Sequence, residues 1–135
     1  FLDENEINHV PAISGSCMLI RRAVIDQIGV LDERYFAYQE DTDYCVHARK
    51  AGWKVTYLPT SVIKHFGGKG GAGAQPYKTI FEWHRSYFLY YNKNLAKDYF
   101  LFVNWLFYLL MGMKLVFSLV VNLFRPTKYV GPKRG

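Results

Sequence analysis

The sequence predicts an α/β chain whose C-terminal part is built from long apolar helices, and three observations carry that expectation. Short β-type apolar runs alternate with short helix-like segments between residues 16 and 66. A glycine-rich stretch, 67–76, then interrupts the pattern. Beyond it apolar residues recur at helical spacing and end in 99–124, the most hydrophobic segment of the chain.

Taken in order, residues 1–14 are mixed in character and read as loop. "SCMLIRR" (16–22) is a short apolar run that reads as a buried strand, and "RRAVIDQIG" (21–29) as a short helix that Gly29 stops. "VLDERYFAYQ" reads as loop. "EDTDYCVHARKAG" (40–52) is helix-like, with Tyr44, Cys45 and Ala48 on one face and Gly52 placed to take the left-handed conformation beyond its end. "WKVTYLP" (53–59) alternates and is β-rich, so it reads as a strand closed by Pro59, and "SVIKHF" (61–66) allows another. Five glycines and a proline in 67–76 leave no side chains for a core, so that segment reads as a hinge or loop. The expected organisation is therefore 1–76, an amphipathic helix over 77–98, a membrane-type helix over 99–124 and a basic tail over 125–135.

Half of the 135 residues are apolar and 18% are aromatic, which suits one folded domain and excludes a disordered chain. Cys17 and Cys45 make neither a metal spacing nor a disulfide scaffold, and point to a reducing compartment. Charge is uneven. Residues 1–60 hold 6 Lys/Arg against 9 Asp/Glu, and residues 61–135 hold 11 against 2. A basic half suits nucleic acid, an anionic membrane surface or a phosphate-bearing substrate. Nucleic acid ranks last, because the basic residues accompany an apolar helix rather than a base-reading motif.

Segment 99–124 is long enough to cross a bilayer, for which ~20 apolar residues suffice. Asn104, Lys114, Ser118 and Asn122 interrupt it and fall, at ~100° per residue, within an arc of roughly 80°. Such a rod either lies in the membrane interface or spans the bilayer with its stripe against a partner. Tyr99, Trp105 and Tyr108 suit the interfacial zone, and the basic tail favours the cytoplasmic side.

Glu40, Asp41 and Asp43 crowd the first turn of the predicted helix. Acids there oppose the helix dipole, worth ~0.3–1 kcal/mol each, but mutual repulsion makes three more than capping needs. A carboxylate at such a position suits a general base. "DTD" matches a cation-binding D-x-D in form only, since residues i and i+2 point ~200° apart on a helix. His65 ends a predicted strand beside the glycine loop, where ligands concentrate, and is a metal-ligand candidate. "GGKGGAG" lacks the G-x-x-x-x-G-K-[ST] order of a phosphate loop, although Lys69 on it is placed to swing onto a phosphate.

Read together, "SGSCMLIRRAVIDQIGVLDERYFAYQEDTDYCVHARKAGWKVTYLPTSVIKHFGG" and "HRSYFLYYNKN" resemble the C-terminal half of a family-2 glycosyltransferase of the bacterial rhamnosyltransferase kind. The resemblance implies a partial GT-A fold and inverting transfer of a sugar from a nucleoside diphosphate donor to an acceptor hydroxyl. It implies Asp41 as the base, Glu40 as a positioner of acceptor hydroxyls and Asp43 as a support of the helix and loop around the substrates. By the same resemblance His65 helps to hold Mg²⁺ or Mn²⁺, Lys69 and Arg85 neutralise the leaving diphosphate, and Gly15 lets a sugar approach the backbone. The family's donor-binding strands lie upstream of these motifs, so the expectation is a portion of a longer protein that is inactive alone. Implied partners are a nucleotide sugar, a saccharide or lipid-linked acceptor and membrane lipid, at the cytoplasmic face of the membrane. The competing expectation is a non-catalytic, membrane-anchored interaction module.

Overall fold

Helix formation follows the sequence signals closely, whereas strand formation does not. The computed structural model describes residues 3–65 and 75–124. Lys69, residues 66–74 of the glycine-rich stretch and the basic tail 125–135 lie outside the described residues. The chain divides into two units, Phe1–His65 and Phe66–Gly135.

The first unit contains β1 (Asn8–His9), a 3₁₀ turn at Gly15–Cys17, α1 (Arg22–Ile28), α2 (Glu40–Lys50) and β2 (Thr56–Tyr57). Helix α1 stops where Gly29 adopts φ 83° and its N–H reaches Ile25 O at 2.8 Å. Gly52, at φ 90°, plays the corresponding part after α2 and lets Trp53 N–H return to Ala48 O at 3.0 Å. The core is small: Val24, Tyr44 and Ala48, with Met18, Ile20, Ile28 and Trp53 packed on it. Polar bonds fix its edges. The Tyr44 hydroxyl donates to Gly29 O at 3.0 Å, Trp53 Nε1 donates to Gln27 Oε1 at 2.7 Å, and Arg49 donates to Pro11 O at 3.0 Å.

The strand expectations are corrected. Residues 16–22 form a 3₁₀ turn and then extended chain that runs into α1, and Leu19 is 93% exposed. Residues 53–59 contribute only Thr56–Tyr57, paired antiparallel with Asn8–His9 from a region read as loop, and residues 61–65 form no strand. A strand is a non-local structure that needs a neighbour to take its hydrogen bonds. The described residues supply such a neighbour only at β1.

The second unit is a helical hairpin. Helix α3 (Pro76–Asn94) opens with proline at its start, where the missing N–H costs nothing. A 3₁₀ turn at Ala96–Asp98 leads into α4 (Leu101–Leu123). Aromatic rings and a few polar bonds join the two helices. Tyr91 stacks on Phe107 with ring centroids 3.7 Å apart, and its hydroxyl donates to Asn104 Oδ1 at 2.6 Å. Asn104 Nδ2 in turn donates to Ala96 O at 2.9 Å and to Tyr99 O at 3.3 Å. Tyr108 donates to Asn92, and the Lys114 ammonium sits 3.9 Å from the centroid of the Trp83 ring.

Candidate active site

The acidic turn is where the first unit concentrates unusual backbone geometry. Tyr38 and Gln39, immediately before α2, both adopt φ 68°. Left-handed backbone costs ~1–3 kcal/mol at a non-glycine residue and gathers at functional sites. These two residues lead directly into α2, whose first turn carries Glu40, Asp41 and Asp43.

Asp41 is held from outside its own helix. Its Oδ2 accepts the Gly15 N–H at 2.7 Å, and its Oδ1 accepts the Thr42 N–H at 2.7 Å and the Thr42 hydroxyl at 3.3 Å. Gly15 and Asp41, 26 positions apart, are thus brought together. A Cβ on Gly15 would stand 3.5 Å from Asp41 Cβ, an ordinary contact. The carboxylate is therefore oriented by two backbone N–H groups, yet Oδ2 keeps a second lone pair for a further partner.

Glu40 differs. Its Oε2 is buried without a hydrogen-bond partner. An unsatisfied buried acceptor costs ~1–3 kcal/mol, which singles Glu40 out within the acidic turn.

Asp43 faces inward. It is 2% exposed and accepts the Tyr35 hydroxyl at 3.2 Å, with His47 Nε2 at 3.9 Å. Burial first, then the charge and hydrogen bond of Asp43, hold the Tyr35 phenol well above its ordinary range. The bond ties the loop before α2 to the helix itself. Asp43 therefore meets other protein groups rather than open space. One turn on, the Cys45 thiol is pushed up by burial and stays protonated.

The D-x-D geometry follows from helix periodicity: Asp41 points to Gly15 and Asp43 to Tyr35. Among the described residues no three His, Cys, Asp or Glu side chains gather as a cation site. His65 is exposed at the end of the first unit. Arg85 lies on α3 in the second unit, paired with Glu82 at 3.1 Å, and Lys69 lies outside the described residues.

A cavity of about 630 Å³ in the first unit is lined by Met18, Ile20, Val24, Tyr44 and Trp53, with none of the three acids among its walls. It lies over the apolar face of α2 and exposes core side chains. Sequence reasoning missed the Tyr38–Gln39 corner, since neither residue type announces φ > 0, and the Tyr35–Asp43 bond. The aromatic run ahead of the acids was the available signal.

Comparison with known proteins gives a consistent answer. The profile of the family described as Glycosyltransferase like family 2 matches residues 4–94, more than half of the chain. The N-acetylglucosaminyl-diphospho-decaprenol L-rhamnosyltransferase of two Mycobacterium tuberculosis strains is 37% identical over 78 residues, 58% of this chain and 25% of the relative. The low-salt glycan biosynthesis hexosyltransferase Agl10 of Haloferax volcanii is 40% identical over 47 residues, 35% of this chain and 15% of the relative. The chain thus spans a quarter or less of the length of these curated relatives. No solved structure matches it at a significant level. The matched residues include the strained corner, the three acids and Gly15, and on that basis the chain belongs to Glycosyltransferase like family 2.

Proposed function

We propose that this chain supplies the acceptor and base side of an inverting glycosyltransferase. In this reading a sugar moves from a nucleoside diphosphate donor to an acceptor hydroxyl in cell-surface polysaccharide or glycolipid synthesis. Family membership implies a GT-A-like fold; the described residues are helix-rich, and we read them as the acceptor side of such a fold. The observation that carries the reading is the Asp41 carboxylate, fixed at 2.7 Å by the Gly15 N–H behind the strained Tyr38–Gln39 corner.

The chemistry is one displacement. The acceptor oxygen forms a bond to the anomeric carbon as the bond from that carbon to the diphosphate oxygen breaks, and the hydroxyl proton passes to Asp41. The backbone grip from Gly15 and Thr42 keeps the base oriented without consuming all its lone pairs. The vacant Oε2 of Glu40 accepts a hydrogen bond from a neighbouring acceptor hydroxyl. Asp43, through Tyr35, holds the loop that presents both. Lys69 and Arg85 are the cations proposed for the leaving diphosphate. Family-2 members commonly use divalent cations. Mg²⁺ or Mn²⁺ would serve as a Lewis acid on the diphosphate, with His65 as the ligand this chain offers. The mycobacterial relatives' name makes rhamnose the first donor sugar to test and a polyprenyl-diphosphate-linked N-acetylglucosamine the first acceptor. Such an acceptor supports a reaction at a membrane, and the cytoplasmic face is the side we propose for it.

The test is Asp41→Asn in the full-length gene product, assayed for rhamnose transfer from its nucleoside diphosphate. Asparagine keeps an oxygen for the Gly15 N–H but loses the acceptor for the Thr42 N–H, so circular dichroism accompanies the assay; with the fold retained, transfer is expected to fall by about 10²–10⁴-fold. Full activity in that variant would remove Asp41 as the base. A second reading, a non-catalytic membrane-anchored module, draws on the exposed apolar face of α4 alone. It predicts lipid binding with no transferase activity in any form of the protein.

A further inference from the structure

Helix α4 is long and apolar enough to cross a membrane by length and composition, yet the hairpin gives its polar stripe a use inside the protein. Asn104 is bonded to Tyr91 and to two carbonyls of the corner, and Lys114 rests on Trp83. Around the rest of the helix the surface is apolar and uncovered: Trp105, Leu110, Met113, Val116 and Phe117 are all more than half exposed.

Helix α3 carries its charges along one arc, in which the Arg85 side chain is 43% exposed and Glu82 16%. Lys78, Glu82, Arg85 and Lys93 fall, at ~100° per residue, within an arc of about 80° opposite Tyr91. The contacts that join the helices run from Tyr91 on Asn104 to Trp83 on Lys114. This antiparallel register sets Arg85 level with Gly112, the midpoint of α4. Were α4 to cross a bilayer, α3 would be drawn in with it, and the Arg85–Glu82 pair would lie at the depth where charge is least tolerated.

We infer that the α3–α4 hairpin is a monotopic membrane-seating element. It lies in the plane of the interface with the apolar face of α4 in the acyl boundary and the charged face of α3 toward water. The occupant of the apolar face is a lipid bilayer with anionic headgroups. Residues 61–135 carry 11 basic against 2 acidic side chains, a balance that anionic lipid answers and a second copy of the same chain would oppose. This deepens the membrane contact proposed above and replaces two open arrangements, flat or spanning, by one.

Topology tests it. On a Cys17→Ser background, with buried Cys45 kept as an unreactive control, single cysteines are placed in the full chain at Asp98→Cys, in the corner between the helices, and at Phe124→Cys, just past α4. Sealed vesicles of one orientation are treated with a membrane-impermeant maleimide. The expected result is that both positions label from the same side. Labelling from opposite sides means a spanning helix and overturns the proposal, as does recovery of the chain in the supernatant. In a second arm the purified chain is floated with phosphatidylglycerol vesicles. Leu110→Glu with Phe117→Glu, both facing outward and away from α3, is expected to abolish flotation while helix content is kept. Unchanged flotation overturns the proposal. So does a wild-type dimer that fails to float and that the same substitutions dissociate, because the occupant would then be a second copy. None of these measurements involves sugar transfer, so their failure leaves the Asp41 proposal standing, and loss of that proposal leaves these results intact.

Discussion

The two units spend their polar groups in opposite ways. In the first, polar side chains gather at one corner, where Tyr38 and Gln39 hold left-handed backbone, Glu40 keeps an unpartnered oxygen and Asp41 is gripped from a distant turn. In the second, two polar groups of α4 meet α3 and the corner: Asn104 is bonded three times over, and the exposed Lys114 is set on an indole. An unsatisfied acceptor beside strained backbone points to a ligand. The hairpin seam has such an atom too, His84 Nε2, but among the described residues no strained backbone lies beside it, and the outer face of α4 is apolar. The contrast matches the two roles proposed above, chemistry for the first unit and placement for the second.

The largest expected effect that would break this comparison is the loss of transfer in Asp41→Asn described above. Next in size, Tyr91→Ala in the hairpin removes the ring stacked on Phe107 and the donor to Asn104. It should cost about 3–5 kcal/mol in thermal or denaturant unfolding of the second unit. An effect near zero would mean that the seam is not what joins the helices. Smaller is Tyr35→Phe, which takes the donor from buried Asp43. A loss of about 1.5–3 kcal/mol is expected in unfolding of the first unit, with transfer reduced only through the loop.

Tyr35 also sets a pH signature. Its folded pKa is raised above the ordinary value of 10.0, so the folded state holds the phenol proton where the unfolded state has released it. The associated stability is complete below pH 10.0 and declines as pH rises beyond it, and Tyr35→Phe should remove that decline. Gln39→Val tests the strained corner. A β-branched residue at φ 68° should cost about 1 kcal/mol or more, whereas the same change on an exposed strand would be near neutral. The smallest effect is Lys114→Met, where loss of the cation over Trp83 should cost about 0.5–1 kcal/mol and leave the helices paired.

How much of this was legible in the sequence depends on how local each signal is. The helices around Glu40 and Tyr91 were readable from periodicity, and Gly29 and Gly52 marked the ends of α1 and α2 through a conformation glycine adopts freely. Residues 16–22 and 53–59 were over-read as strands, because an apolar alternating run states a readiness to pair without naming a neighbour. The polar stripe on α4 was visible as a stripe, but its partner was not. Tyr91 and Trp83 meet Asn104 and Lys114 only once the corner has reversed the chain. The approach of Gly15 to Asp41 spans 26 positions, and only the family resemblance had set the two residues in one site. Nothing in the letters of Tyr38 or Gln39 signals positive φ.

One amide carries a further consequence. Asn104 reaches back from α4 to the Ala96 and Tyr99 carbonyls while its oxygen takes the Tyr91 hydroxyl, so its side chain works as a caliper set to one span. Insertion of a single residue between Tyr99 and Phe100 would move both carbonyls out of its jaws at once. Among natural variants of this hairpin, a lengthened corner and an asparagine at this position should therefore be mutually exclusive.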